Sequence, residues 1–217
     1  VRMARAAGFD RRSNGVNLDL IFDIPHQTLP MWQETLTRVL ALRPEHLSCY
    51  ALSLEHGTPM RSRVYRGLLP VPDSDLAAEM YEWASEMLEA RGLVQYEISN
   101  WARGEKLEVG NWKLDGNSSN LPPQFRRPIS NLHYACRHNL QYWLNLPYLG
   151  FGAGAHGYAG GYRYSNVLAP AAYVERTERG GKTEFPFSPA LAQATPIPRD
   201  EEMGETMMLG MRLTGEG

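Results

Sequence analysis

The sequence predicts an α/β fold built around a parallel sheet. Three observations carry this. Residues 16–22, VNLDLIF, alternate, with Val16, Leu18, Leu20 and Phe22 on one face and Asn17, Asp19 and Ile21 on the other, the period of a strand. Leu29, Trp32, Leu36, Val39 and Leu40 recur at helical spacing. Residues 46–53, HLSCYALS, read as a second strand. Strand, helix and strand within about 40 residues make a βαβ unit, whose crossover implies parallel strands.

The elements follow in order. VRMARAAGFD opens inside a helical pattern closed by Gly8. Asp19 stands in an apolar run, and a bare buried charge is costly. It must therefore be paired, by a neighbouring hydrogen bond or by a ligand, and both readings stay open. FDIPHQT, residues 22–28, turns at the strand's C-terminal end, where α/β folds bind ligands. Thr28 caps the first long helix, Pro30 fits its first turn, and Pro44 ends it. Cys49 reads as a small buried hydrophobe. Residues 61–72, RSRVYRGLLPVP, read as an irregular connector whose three arginines are solvated. Asp73 or Ser74 caps a helix over 74–91 with a stripe of Leu76, Met80, Ala84, Met87 and Leu88, ended by Gly92. Residues 94–100, VQYEISN, read as a third strand. Residues 102–132 are rich in Gly, Asn, Ser and Pro without period and read as a long loop insertion. GGYRYSN, 160–166, is turn and short strand; Pro170 opens a helix; 186–198 is a Pro-rich connector. Residues 200–213 form a last helix with an acidic first turn, as the helix dipole favours. The domain division expected is 1–165 and 166–217, the second part beginning a small helical domain. Both ends fall beside helical patterns, so the reading expects a piece of a longer protein.

The 217 residues suffice for one large domain or one and a half small ones. A 43% hydrophobic and 21% charged composition is ordinary for a soluble protein. The net charge of -2 argues against a general nucleic-acid binder. No apolar run reaches the roughly 18 residues of a membrane span, and the first ten residues do not read as a signal peptide. Two cysteines are too few for a disulfide scaffold, or for a four-cysteine zinc or iron–sulfur site. The compartment expected is the cytoplasm.

The functional weight falls on residues 136–158, CRHNLQYWLNLPYLGFGAGAHGY. His138 and His156 flank polar and aromatic residues beside a glycine run. Glycine at that density lets backbone pass close to something flat or bulky. One reading is a site for a large planar ligand; the other is a buried strand crossing another element, with hydrogen-bonded histidines.

NLDLIFDIPHQT resembles the strand–turn of radical S-adenosylmethionine (SAM) proteins related to oxygen-independent coproporphyrinogen III oxidase. HLSCYALSLEHGTP, QYEISNWA, CRHNLQYW and YLGFGAGAHGY fit the same family in the same order. HNLQYW is similar to the HNxxYW motif of its haem-chaperone branch. The resemblance covers about residues 1–101 and 133–213; residues 102–132 do not match.

The resemblance implies the C-terminal part of a partial TIM-like (β/α)6 barrel, with SAM at its C-terminal face and a [4Fe-4S] cluster on a CxxxCxxC loop. This sequence lacks that loop; its ligands are expected outside the chain, which alone is expected to be inactive. By position, Asp19 resembles the carboxylate that holds the SAM ribose, backbone near Ser53 is implied to pass close to SAM, and His156 matches the last SAM-contacting position. His138 resembles the chaperone branch's proposed haem ligand, and imidazole is a common axial ligand of haem iron. Leu140 and Gln141 match positions assigned in the oxidase branch to a second SAM or the substrate pocket. Asp23 stands where the family usually carries Gly.

Three functions stay open: a haem chaperone that passes haem to respiratory proteins; an oxidase decarboxylating porphyrinogen propionates to vinyls through a 5′-deoxyadenosyl radical; or a non-catalytic α/β remnant. HNLQYW and the Glu55-His56-Gly57-Thr58 turn favour the chaperone.

Overall fold

The computed structural model describes residues 1–9, 15–104 and 133–214. The chain forms two compact units, Val1–Ala135 with Thr214–Gly217, and Cys136–Leu213.

In the first unit, α1 (Arg2–Ala6) precedes β1 (Asn17–Phe22), α2 (Leu29–Ala41) and β2 (His46–Ala51). β1 and β2 pair in parallel, with Asp19 opposite Ser48 and Phe22 opposite Ala51, as the βαβ reading requires. Then come α3 (Pro59–Tyr65), α4 (Ser74–Ala90), β3 (Leu93–Glu97) and β4 (Asn100–Arg103). The sheet order is β1-β2-β4-β3, and β4 runs antiparallel to both neighbours.

One face of this sheet is closed by helices. Trp32, Leu36 and Leu40 of α2 and Met80, Ala84 and Leu88 of α4 are buried against Phe22, Leu47, Cys49, Leu93 and Trp101. The two stripes match the spacing that predicts them. The Trp32 indole N–H donates to the Met80 carbonyl at 3.0 Å, tying α2 to α4. Asp73 caps α4, its carboxylate accepting the N–H groups of Asp75 and Leu76. A buried charge pins the start of the unit: Glu45 accepts from the Arg5 guanidinium at 2.7 Å and from the Val16 N–H at 2.9 Å.

In this unit three expectations change. The single strand expected over 94–100 is a hairpin. Glu97 folds back to accept the Ser99 N–H at 2.8 Å and the Asn100 side-chain amide, and the chain reverses at Ile98 and Ser99. Its return strand, β4, takes up residues 102 and 103 of the expected loop; residues 105–132 lie outside the described residues. The connector after residue 60 is partly helical: Thr58 caps α3 by accepting the Arg61 N–H, and Pro59 occupies its first turn.

In the second unit, α5 (Arg137–Trp143) leads to β5 (His156–Ala159), β6 (Tyr162–Asn166), α6 (Pro170–Arg179), β7 (Leu191–Pro196) and α7 (Arg199–Gly210). β5, β6 and β7 form an antiparallel sheet in that order. Gly160 and Gly161 both take positive φ, 61° and 79°, as a two-residue hairpin turn of the primed type needs. The segment expected to be a connector supplies β7. Its prolines fall outside the strand or at its last position on the sheet edge, where they cost no ladder bond. Among the described residues no helix is long and apolar enough to cross a membrane.

Candidate functional site

The first unit presents a polar face opposite its helices. On β1 the alternation leaves Leu18, Leu20 and Phe22 toward the helices and exposes Asn17, Asp19 and Ile21. Asp19 is paired, but with a side chain: the Asn17 amide donates to its Oδ1 at 2.8 Å. The other face of Asn17 meets β2. His46 Nδ1 lies 2.7 Å from Asn17 Oδ1, and His46 Nε2 lies 2.8 Å from the Tyr96 hydroxyl. Ser48 donates a longer bond, 3.5 Å, to the same Asn17 oxygen. His46 is buried, and that burial pushes its imidazole down to about 4 against the pull of Asp19. It is neutral at neutral pH.

Beyond the ends of β1 and β2 the Leu52 N–H donates to the Phe22 carbonyl at 3.0 Å, which brings Asp23 and the exposed Ser53 to the C-terminal edge of the parallel pair. Asp23 takes φ 58°, the left-handed conformation that glycine adopts freely and Asp tolerates. The backbone shape expected of a glycine is thus kept, and a carboxyl is added. That carboxyl is buried, and its pKa is raised by burial, against a backbone hydrogen bond from Asp73.

The second unit carries the other candidates. α5 places His138 on an exposed face, its ring edge-on to Tyr142 at 4.9 Å, and Tyr142 is edge-on to Tyr148 at 4.6 Å. Among the described residues no hydrogen bond occupies the His138 nitrogens. Leu140 is half-buried. The Gln141 amide is engaged within the unit, donating to the Pro147 carbonyl as α5 ends. His156 is exposed at the start of β5, opposite Ser165. Arg163 gathers the neighbourhood: it is bonded to Glu205 and Asn145 and lies over the Tyr158 ring at 4.5 Å. Tyr158 donates to Glu202 at 2.5 Å, and burial pushes its phenol up to about 12, with Glu202 adding to the rise.

The glycine run has internal partners at two positions. A Cβ on Gly157 would stand 2.2 Å from Cζ of Tyr164, and one on Gly150 would stand 2.3 Å from the His156 carbonyl oxygen. One flat object that the backbone approaches is therefore the Tyr164 ring.

The donor sets differ in what they suit. Asp19 offers one oxygen toward an exposed face, which suits a hydroxyl donor such as a ribose. His138 offers an exposed imidazole, a ligand type that suits haem iron. An iron–sulfur cluster is not suited: Cys49 is buried with its thiol pushed up to about 12, Cys136 immediately precedes α5, and the chain has only these two. Among the described residues no cluster of three His, Cys, Asp or Glu side chains could hold a metal.

No family model matches the sequence. Over 211 residues the chain is 35% identical to a protein of Bacillus subtilis named haem chaperone HemW, covering 97% of this chain and 45% of that one. A Synechocystis protein of the same name is 34% identical over 203 residues, 91% of this chain and 40% of the other. A mouse protein named radical S-adenosyl methionine domain-containing protein 1, mitochondrial, is 37% identical over 142 residues, 65% and 26% of the two chains. The fold matches coproporphyrinogen III oxidase (HemN) of Escherichia coli, described as a radical SAM enzyme, with a TM-score of 0.65 at 20% identity, covering 97% of this chain and 42% of that one. This is a HemW/HemN-like radical SAM chain. It spans less than half the length of these relatives. The expected partial α/β barrel architecture agrees with the HemN fold.

Sequence reasoning singles out Asp19 but misses Asn17, His46 and Tyr96 behind it. Asn17 shares Asp19's face two positions earlier, a signal present in the alternation. Nothing local marks Tyr96, 50 positions from His46.

Proposed function

We propose that this HemW/HemN-like chain belongs to a radical SAM haem chaperone, in which His138 ligates haem iron and Asp19 holds the SAM ribose. The observation that carries the reading is His138 in HNLQYW: it opens an exposed helix face, and its ring nitrogens are not engaged elsewhere among the described residues. The names of the HemW relatives support the same direction. In this reading backbone at Ser53 borders SAM in the first unit; for the second unit the resemblance assigns His156 a SAM contact, and Leu140 and Gln141 a second SAM or the substrate pocket. The chain's own cysteines do not serve a [4Fe-4S] cluster. A protein of this kind works in the cytoplasm and hands haem to respiratory acceptors. SAM, if held there and given an electron by a reduced iron–sulfur cluster, would supply radical chemistry. The residues here bind and orient; the hard chemistry belongs to the cofactor.

The test is a haem titration of the chain followed in the Soret region, wild type against His138→Ala. Stoichiometric binding with an imidazole-type Soret band, lost in the variant, is the expected result. Equal binding in both, or none in either, removes the haem assignment and favours porphyrinogen decarboxylation or a non-catalytic role.

A further inference from the structure

The polar chain behind Asp19 has a direction that its chemistry fixes. A carboxylate only accepts hydrogen bonds. The Asn17 group facing Asp19 must therefore be its NH2, which turns Asn17 Oδ1 toward β2. That oxygen also only accepts, so His46 Nδ1, 2.7 Å away, carries a proton. A neutral imidazole then presents Nε2 as an acceptor, and the Tyr96 hydroxyl, 2.8 Å away, donates to it. The order of donation is Tyr96 to His46 to Asn17 to Asp19, across the sheet from β3 to β1. Ala102 lies opposite His46 in the intervening strand, and its small side chain leaves room for Tyr96 to reach over. Every member is on one face, and His46 and Tyr96 are buried while Asp19 is exposed.

We propose that Tyr96, His46 and Asn17 are positioning residues that lock one oxygen of Asp19 and turn the other toward a hydroxyl-bearing nucleoside ligand. The proposal rests on the reading of Asp19 as the group that holds the SAM ribose. A free Asp side chain samples several rotamers, and a ligand must order it on binding. An Asp already held by Asn17 avoids that entropic cost, and Asn17 is itself held by a buried histidine, whose tautomer the Asn17 oxygen selects and whose Nε2 the Tyr96 hydroxyl engages. The arrangement resembles in kind the outer partners that orient ligating groups at metal sites, here applied to a carboxylate.

Two measurements on the full chain test it. The first is 15N–1H NMR of the imidazole of His46 between pH 6 and 7.5. The expected state is neutral with the proton on Nδ1, and Asn17→Ala allows the other tautomer to appear. A proton resident on Nε2 in the wild type overturns the proposal. The second is calorimetric titration with SAM for wild type, Asp19→Asn, Asn17→Ala, His46→Leu, Tyr96→Phe and Cys49→Ala. Cys49→Ala loosens the opposite, apolar face of β2 and serves as the control for lost stability alone. Asp19→Asn should abolish binding. Asn17→Ala and His46→Leu should weaken it about three- to tenfold, the worth of one net hydrogen bond, and Tyr96→Phe less. The Cys49→Ala control should bind as wild type. If Asp19→Asn loses SAM while the Asn17 and His46 variants retain wild-type affinity, the Asp19 reading stands and the positioning proposal falls. If wild type and Asp19→Asn bind alike, or neither binds, the reading itself falls and takes the proposal with it.

Discussion

Gly157→Ala tests the claim that the glycine run is partly a packing device. Gly157 sits in β5 opposite Tyr164 of β6. An added Cβ would stand 2.2 Å from Cζ, 2.4 Å from the hydroxyl oxygen and 2.6 Å from Cε1 of that ring. Ordinary carbon contacts begin near 3.5 Å, so the ring must retreat by more than about 1 Å. It is poorly placed to do so. Tyr164 is buried, stands edge-on to Phe187 at 5.9 Å, and its hydroxyl accepts the Gly150 N–H at 3.3 Å. Overpacking of this kind costs about 1–3 kcal/mol, and rigid surroundings put Gly157→Ala near the upper end, about 3 kcal/mol. For a chain of this length that lowers Tm by roughly 6–12 °C. The assay is urea unfolding by far-UV circular dichroism, completed as a double-mutant cycle with Tyr164→Ala. Tyr164→Ala alone should cost about 3–4 kcal/mol. In that background Gly157→Ala should be neutral or stabilising by up to about 1 kcal/mol, because the φ of Gly157 is outside the left-handed region and only unfolded-chain entropy changes. The coupling is then about 3 kcal/mol, which contacting residues can reach. A cost below about 0.5 kcal/mol in the wild type, or the same cost in both backgrounds, refutes the reasoning.

Two further outcomes follow from buried charge. His46 titrates at 6.5 unfolded and about 4 folded, so above about pH 6.5 its contribution to stability is constant. As pH falls below that, the unfolded state takes up the proton first and stability declines by up to about 3 kcal/mol, levelling near pH 4; in His46→Leu that part of the decline should vanish from urea midpoints taken at pH 7, 5.5 and 4.5, and parallel curves would contradict it. Glu45→Ala should destabilise the chain by about 3–4 kcal/mol, since it removes the buried partner of Arg5 and the acceptor of the Val16 N–H; loss of less than about 1 kcal/mol in the urea midpoint would mean that the pair is dispensable.

What the sequence discloses here follows the range of the interactions. The α2 and α4 stripes are legible because periodicity is local: Trp32, Leu36 and Leu40, then Met80, Ala84 and Leu88, are buried where the spacing places them. Asp19 is legible as a carboxylate that needs a partner, because alternation alone puts it on a polar face. The β3–β4 reversal is not, because VQYEISN has strand character throughout and the break depends on Glu97 turning back to Ser99 and Asn100. The relay behind Asp19 is less legible still: it needs Tyr96 to cross Ala102 and reach His46, a relation set by strand order β1-β2-β4-β3 rather than by any spacing. The glycines fall between these cases. Their density announces a close approach, but a missing side chain specifies only the distance to its neighbour, not the neighbour's identity. At Gly157 the space is filled by Tyr164, which lies seven positions away and is brought opposite by a hairpin turn whose own two glycines are readable. The same glycine signal therefore has a folding explanation at Gly150 and Gly157. The case for a planar ligand passes to the exposed histidine of α5, where no such internal partner takes the nitrogens among the described residues.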